Sequence, residues 1–121
     1  MEAKELRIGN WIKYNFKMQG WNDVQVCAND FHNGFRDDKF VSMNYKPIPL
    51  TEEWLLKFGF EKPYFSWMCD KFHLTEWDEY PLHWIVSFNK NNAVIVLKLK
   101  HVHQLQNLYF ALTNEELIIK Q

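Results

Sequence analysis

The chain contains few of the residues on which specialised small proteins depend. Its 121 residues include only two cysteines, Cys27 and Cys69, and only four glycines. Two cysteines are too few for a disulfide scaffold, and no second pair of ligands at metal-binding spacing accompanies them. All four glycines stand alone, which excludes a glycine-rich phosphate-binding loop. We therefore expect neither a metal nor a cofactor.

Long apolar runs and an excess of positive charge are also missing. The longest purely aliphatic run is residues 93–97, far below the roughly 20 residues that a membrane-spanning helix needs. Residues 1–5 have no apolar segment of the secretory type. The formal net charge of −1 lacks the basic excess on which non-specific nucleic-acid binding rests. The sequence thus predicts a cytoplasmic protein with no membrane partner.

Aromatic residues, in contrast, are abundant. Six Trp, five Tyr and ten Phe make up 17% of the chain. Most aromatic side chains belong to a core, where they bury large apolar areas. The excess also allows one aromatic surface, because exposed rings stack on bases and anchor protein partners.

The N-terminal third of the chain has the periodicity of β-strands. Apolar and polar residues alternate over residues 11–18, and the alternation continues over residues 24–28. Asn33-Gly34 is a dipeptide favoured in tight hairpin turns, after which residues 35–45 can return as a third strand. These features predict a three-stranded antiparallel meander.

A short helix is predicted over residues 51–58. Thr51 is a suitable N-cap, and two glutamates follow it in the first turn. Leu50 can pack on Leu55 across the cap, and Gly59 can adopt the left-handed conformation that ends a helix. The sequence signals for the start, the apolar side and the end of the helix thus all indicate the same bounds.

The C-terminal half combines strands with a second helix. Residues 64–74 are aromatic and strand-like, and residues 82–88 and 93–99 flank a hairpin loop. Apolar residues at i, i+3, i+4 and i+7 from Leu105 predict a helix over residues 103–112.

Together these elements predict an α+β fold. An antiparallel β meander and a second antiparallel β unit are expected to be covered by two short helices, at about 51–58 and 103–112. The chain has no repeat, low-complexity tract or linker, and we therefore expect a single α+β domain over residues 1–121.

Three segments of the chain resemble a family of small proteins that has no assigned activity. The segments are ELRIGN (5–10), PIPLTEEWLLKFGF (47–60) and VHQLQNLYFALTNEEL (102–117), and they cover 36 of the 121 residues. The similar proteins come from phages, prophages and mobile elements of Gram-negative gut anaerobes. The relatives carry glycine where this chain has Asn114, and asparagine is the next-best residue for a left-handed helix end. The resemblance implies an accessory role in the host cytoplasm and transfers no catalytic residue.

The histidines and cysteines offer two candidate chemistries. His101 and His103 form an H-x-H pair, which a third histidine or Cys69 could complete as a metal site. The favoured alternative is that both histidines hydrogen-bond locally at the start of the last helix. Nucleophilic catalysis would need Cys27 or Cys69 beside a histidine, and neither cysteine has a sequence context that favours the thiolate. No residue is therefore predicted to be catalytic.

The last predicted helix has an unusual polar side, here called the amide face. Its candidate ligand- or partner-binding residues are Gln104, Gln106, Asn107 and Phe110. No charged residue lies between Lys100 and Glu115, although a solvent-facing helix normally carries Lys, Glu or Arg. Amides donate and accept hydrogen bonds together, so this face suits a polar ligand or another subunit. The alternative is that it packs against a strand edge inside the domain and satisfies open backbone amides.

A second candidate surface lies in the N-terminal sheet. Its predicted ligand- or partner-binding residues are Trp11, Trp21, His32 and Arg36. Exposed aromatic rings beside an arginine can stack on a base or hold a partner side chain. A role in core or sheet packing is the alternative.

These features favour a non-catalytic binding protein of a phage or mobile element. We expect an accessory or anti-defence factor that sequesters a nucleotide-like small molecule or blocks a host protein. One alternative is an accessory factor that binds single-stranded nucleic acid through an aromatic sheet face. A second alternative is a small hydrolase of a host signal, which would depend on His73, His101 or His103. A homo-oligomer is compatible with each hypothesis.

Overall fold

A computed structural model gives the structure of the chain. It describes residues 3–15, 20–33, 41, 43–62, 66–69, 72–76, 83–88 and 93–120. The chain forms two compact units. Unit 1 comprises Met1–Pro49 and His101–Asn107, and unit 2 comprises Leu50–Lys100 and Leu108–Gln121. A single domain over residues 1–121 stays a prediction.

Unit 1 contains a three-stranded antiparallel sheet. Its strands are β1 (Trp11–Asn15), β2 (Trp21–Gln25) and β3 (Tyr45–Pro47). The strand order is β2-β1-β3, so β1 lies in the centre. The predicted meander, in which the third strand would pair with the second, is therefore wrong for this sheet. The alternation along β1 cannot distinguish a central strand from an edge strand, which is why the predicted strand order was wrong.

A helix occupies part of the region where a hairpin turn and a third strand were predicted. Helix α1 covers Ala28–Asn33, and Val41, Met43 and Asn44 are also helical. The backbone N–H of Cys27 donates to Asp30 Oδ2 at 2.8 Å, and Asp30 N–H donates to the Cys27 carbonyl at 3.0 Å. This reciprocal pair starts a helix before Asn33 can form a turn. Gly34 of the predicted turn and residues 35–40 and 42 of the predicted third strand lie outside the described residues.

The core of unit 1 lies on one side of its sheet. It contains Leu6, Ile12, Val26, Val41 and Tyr45. The Tyr45 ring stacks on Tyr14 with 4.6 Å between the centroids. The Tyr45 hydroxyl donates to Asp30 Oδ1 at 3.0 Å, and burial together with this carboxylate raises the pKa of Tyr45 above its usual value. The contact ties α1 to the sheet.

Unit 2 contains a four-stranded antiparallel sheet. Its strands are β4 (Trp67–Cys69), β5 (Phe72–Glu76), β6 (His83–Phe88) and β7 (Ala93–Lys98). The order β4-β5-β6-β7 makes this sheet a true meander. Phe88 pairs with Ala93 across the predicted hairpin, which confirms the pairing of the two C-terminal strands.

Helix α2 (Glu52–Lys57) confirms the helix predicted over residues 51–58. Thr51 Oγ1 accepts a hydrogen bond from the Trp54 backbone N–H at 3.4 Å. At the other end Gly59 has a φ of +86°, and Phe60 N–H donates to the Leu55 carbonyl at 3.0 Å. The cap and the glycine end the helix where the sequence predicts.

Helix α3 (Val102–Thr113) confirms the helix predicted over residues 103–112. In unit 2 its Tyr109 ring packs 5.2 Å from the Phe72 ring of β5. Asn114 follows the helix with a φ of +61°, as predicted for a residue in place of glycine. The α+β fold with two antiparallel sheets is thus confirmed. Within the described ranges, no helix combines the length and apolarity needed to cross a membrane.

Candidate functional site

Gln106, at the centre of the amide face, is bound inside unit 1. Its side chain is only 1% exposed. Gln106 Oε1 accepts a hydrogen bond from Trp11 N–H at 2.8 Å, and Nε2 donates to the Gly9 carbonyl at 3.0 Å. Both ends of the amide therefore satisfy backbone groups at the start of β1.

Asn107 is the second amide that is bound to the N-terminal segment. Its Oδ1 accepts from Arg7 Nε and from Asn10 Nδ2, each at 2.9 Å. Its Nδ2 donates to the Glu5 carbonyl at 2.7 Å. The single side chain thus binds three residues of the segment that precedes β1.

The N-terminal segment is itself held in a tight turn. Arg7 N–H donates to Asn10 Oδ1 at 2.7 Å, and Asn10 N–H donates to the Arg7 carbonyl at 3.1 Å. Gly9 has a φ of +96°, a conformation that favours glycine. Residues 5–10 and the start of α3 therefore meet in one hydrogen-bond network.

The remaining amide-face residues have other positions. Gln104 Oε1 accepts from His101 N–H at 3.1 Å, and this bond caps the first turn of α3. Phe110 is exposed at the opposite end of the face. The hydrogen bonds agree with the packing interpretation for Gln106 and Asn107. Ligand or partner binding by the amide face stays a prediction.

His103 is buried next to this network. Its side chain is 1% exposed, and Nε2 lies 3.4 Å from Glu5 Oε1. Burial lowers the pKa of His103 below its usual value, and the Glu5 carboxylate opposes this effect. The ring stacks on His101, with 5.7 Å between the centroids. His103 Nδ1 is buried without a hydrogen-bond partner among the described residues. The enclosed imidazole has little contact with solvent.

The structure places neither cysteine in a ligand cluster. Among the residues it describes, no three His, Cys, Asp or Glu side chains are grouped to hold a metal ion. Cys27 is an exposed free thiol and Cys69 is a half-buried one.

One face of the sheet in unit 1 is turned away from the core, and we call it the tryptophan face. Strand register places seven residues on it: Trp11, Lys13, Asn15, Trp21, Asp23, Gln25 and Lys46. Side chains of paired residues share a face, and successive side chains along a strand alternate. The core residues Ile12 and Tyr45 consequently lie on the other face.

The tryptophan face combines aromatic rings with cations. Trp21 is 37% exposed, and Lys46 Nζ lies 4.2 Å from the centroid of its ring. Lys13 Nζ lies 3.2 Å from Asp23 Oδ1. Trp11 is half-buried at the opposite end of the β1–β2 pair. The Lys46 ammonium thus lies over the Trp21 ring in a cation–π contact.

Sequence reasoning identified the two tryptophans and missed Lys13 and Lys46. Lys13 belongs to the alternating pattern of the first strand, so its face was available from the sequence. Lys46 was missed because it follows the predicted third strand, whereas it lies inside β3. His32 belongs to α1, and its side chain is outside the described residues, as is Arg36 altogether.

Comparison with known proteins gives no counterpart for either surface. No protein-family model, no curated protein and no solved structure matches the chain.

Proposed function

We propose that this chain is a non-catalytic binding protein that holds a nucleotide-like ligand on the tryptophan face. In this proposal the protein belongs to a phage or mobile element and acts in the host cytoplasm as an accessory or anti-defence factor. It binds the ligand without converting it, and so withdraws the ligand from the host.

An exposed indole held beside a cation supports the proposal. Trp21 presents its ring at the edge of the sheet, with the Lys46 ammonium 4.2 Å from the ring centroid. Every nucleobase has a π-face that stacks on an aromatic ring, and an ammonium pairs with phosphate. A base that replaced the ammonium over the Trp21 ring would leave Lys46 next to it to pair with the phosphate.

The amide face offers weaker support for ligand binding. Gln106 and Asn107 already use both ends of their amides within unit 1. A ligand that took these hydrogen bonds would remove the Gln106 acceptor from the Trp11 N–H and the Asn107 donor from the Glu5 carbonyl. Buried polar groups left in this way cost about 1–3 kcal/mol each, which disfavours the exchange.

Calorimetric titration with AMP, GMP and dTMP tests the proposal directly. Trp21→Ala is expected to weaken binding of the preferred nucleotide roughly 5- to 150-fold, because base stacking contributes about 1–3 kcal/mol. Leu56→Ala is the matched control, since it removes a 61% exposed apolar side chain from α2 in unit 2. The control is expected to bind as the unmodified protein does.

Native mass spectrometry of protein purified from a host lysate distinguishes the proposed function from the blocking of a host protein. A host protein retained in place of a nucleotide would replace this proposal with the blocking of a host partner. The hydrolase alternative requires turnover, and loss of turnover when His73, His101 or His103 is replaced by alanine. A nucleotide recovered intact after long incubation would exclude that alternative.

A further inference from the structure

Strand β2 lies at an edge of the sheet in unit 1. In the order β2-β1-β3 it has a described neighbour on one side only, and four of its five residues are exposed. Its sequence contains neither lysine nor proline, which often block pairing at a sheet edge. We propose that β2 accepts an extended segment of a second protein, which adds to the sheet as an antiparallel strand and carries a lysine or arginine opposite Asp23.

The directions of the β2 backbone groups follow from the register. Val26 N–H donates to the Asn10 carbonyl at 2.8 Å, so the backbone of Val26 bonds toward β1. Residues of an antiparallel pair alternate between facing the neighbouring strand and facing away, so Val24 and Asn22 also bond toward β1. The N–H and C=O groups that point outward are those of Trp21, Asp23 and Gln25.

Two further observations agree with these directions. Ile12 bonds to β2 through its pair with Val24, so its neighbour on the other side, Pro47, needs no N–H, and proline has none. Cys27 N–H is the next outward group, and it donates to Asp30 Oδ2 at 2.8 Å. Within the described parts of the chain, no backbone hydrogen bond reaches the outward groups of β2.

These outward groups suit an added strand. Each of the three residues can exchange two hydrogen bonds with the residue opposite it. Main-chain hydrogen bonds of this kind supply the affinity when an extended peptide adds to a sheet edge, and the alternate side chains supply the specificity.

Charge determines which segment fits. Lys46, Lys13 and Asp23 lie opposite one another in a row across the sheet. Lys13 Nζ lies 3.2 Å from Asp23 Oδ1, and the Asp23 side chain is still 37% exposed. The next position in this row belongs to the added strand. The Asp23 carboxylate attracts a lysine or arginine at that position and repels an aspartate or glutamate.

The same carboxylate disfavours a second copy of β2 as the occupant. The outward residues of two copies all meet only when Asp23 lies opposite Asp23 of the copy. Like charges directly opposite each other are destabilising. A different segment fits better, with an apolar residue opposite Val24, which packs against the core, and a β-branched residue opposite the Trp21 ring.

Calorimetric titration of the full chain with the acetylated and amidated peptide Thr-Val-Lys-Thr-Val tests the charge preference. In antiparallel register its lysine lies opposite Asp23. The same peptide with glutamate in place of lysine is expected to bind roughly 2- to 30-fold more weakly. The difference should shrink at high salt, which screens exposed charges. Equal affinity for the two peptides would exclude a basic partner segment.

N-methylation of the peptide shows whether it binds as a strand. The N–H of its lysine faces β2, whereas the N–H of the threonine that follows faces away. Methylation at the lysine is expected to weaken binding roughly 5- to 150-fold, because one hydrogen bond is lost. Methylation at that threonine is the matched control and is expected to leave the affinity unchanged. Equal effects at the two positions would overturn strand addition.

Two variants test the same hydrogen bond from the side of the protein. Asp23→Pro removes an outward N–H, which an edge strand tolerates, and Asp23→Asn removes the same charge but keeps the N–H. Asp23→Asn is expected to bind the lysine and glutamate peptides about equally. Asp23→Pro is expected to bind both roughly 5- to 150-fold more weakly than Asp23→Asn does. Equal binding by the two variants, with folding verified by circular dichroism, would contradict the proposed pairing.

Strand addition goes beyond nucleotide binding and fails separately from it, because backbone groups rather than the Trp21 ring carry it. Absence of peptide binding at millimolar concentration would overturn strand addition and leave the nucleotide titrations as they are. A dimer in analytical ultracentrifugation that Asp23→Pro abolishes would make a second copy the occupant, and would overturn the foreign segment.

Discussion

Gln106 connects helix α3 to two backbone groups at the start of β1, and its replacement should be costly. Gln106→Ala removes the acceptor of the Trp11 N–H, whereas the Gly9 carbonyl keeps the hydrogen bond from Gln25 Nε2. Loss of the buried hydrogen bond to Trp11 is expected to lower the free energy of unfolding by about 1–3 kcal/mol. Urea denaturation followed by circular dichroism measures the change.

Gln104→Ala provides the comparison on the same helix. It removes one capping bond, to His101 N–H at the half-buried start of α3, and is expected to cost only about 1 kcal/mol. Equal losses in the two variants would mean that the network around Gln106 is not what holds the N-terminal segment.

His103 makes stability depend on pH. Burial depresses the native pKa of His103 below the unfolded value of about 6.5, so the unfolded chain binds the proton more readily. This contribution to stability is complete above the unfolded pKa, and it is lost as the pH falls through that value toward the native pKa. Urea midpoints measured between pH 5 and pH 8 should therefore decline toward the acidic end.

Two variants identify the group responsible for the decline. His103→Gln removes the titration and is expected to flatten the profile. Glu5→Gln removes the carboxylate that favours the protonated ring, so the decline is expected to extend to lower pH. A profile in His103→Gln as steep as that of the unmodified chain would assign the dependence to other groups.

At the scale of elements, two structural constraints require glycine at position 59, just after helix α2. Gly59 has a φ of +86°, and a Cβ added to it would overlap Lys120 Cγ. Gly59→Ala is expected to cost about 2–3 kcal/mol, from left-handed strain and steric overlap together. Thermal or urea unfolding gives the value.

Gly9→Ala separates the two causes. Gly9 also has a positive φ, of +96°, and no atom lies within 4 Å of an added Cβ. In this variant the free energy of unfolding is expected to fall by about 1–2 kcal/mol, from backbone strain alone. If Gly59→Ala is no more destabilising than Gly9→Ala, the Lys120 side chain moves aside without lowering the free energy of unfolding.

The two sheets show why some elements could be predicted and others could not. Helix α2 has its cap, its apolar side and its glycine within ten residues, so local chemistry fixes it. The sheet of unit 1 brings Tyr14 beside Tyr45, which is distant in sequence. Such a pairing depends on the packing of the whole unit. A local pattern therefore gives strands without giving their order.

At the scale of the whole molecule, unit 1 is assembled from two separate stretches of chain. Residues 1–49 are completed by residues 101–107, which supply Gln106 and Asn107. A fragment of residues 1–49 is therefore expected to lack a cooperative unfolding transition. Circular dichroism during thermal unfolding and the dispersion of amide NMR signals measure this directly.

A linked fragment restores the missing partners. Residues 1–49 joined by a flexible linker to residues 101–113 should regain dispersed signals and a cooperative transition. The same linked fragment carrying Gln106→Ala should lose much of that gain. Cooperative folding of residues 1–49 alone would show that the network adds little to unit 1.

The sequence by itself determined the elements whose signals are local. Composition and alternation gave the α+β class, caps and glycine gave α2, and apolar spacing gave α3. Only the tertiary structure showed which groups the side chains of the amide face bind. A glutamine uses the same two amide atoms to bind a backbone group or a ligand. The sequence therefore could not show that Gln106 binds Gly9 and Trp11, which the fold brings next to it. The tryptophan face likewise required the register that brings Lys46 next to Lys13, because residues 33 positions apart share a face only after the sheet has formed.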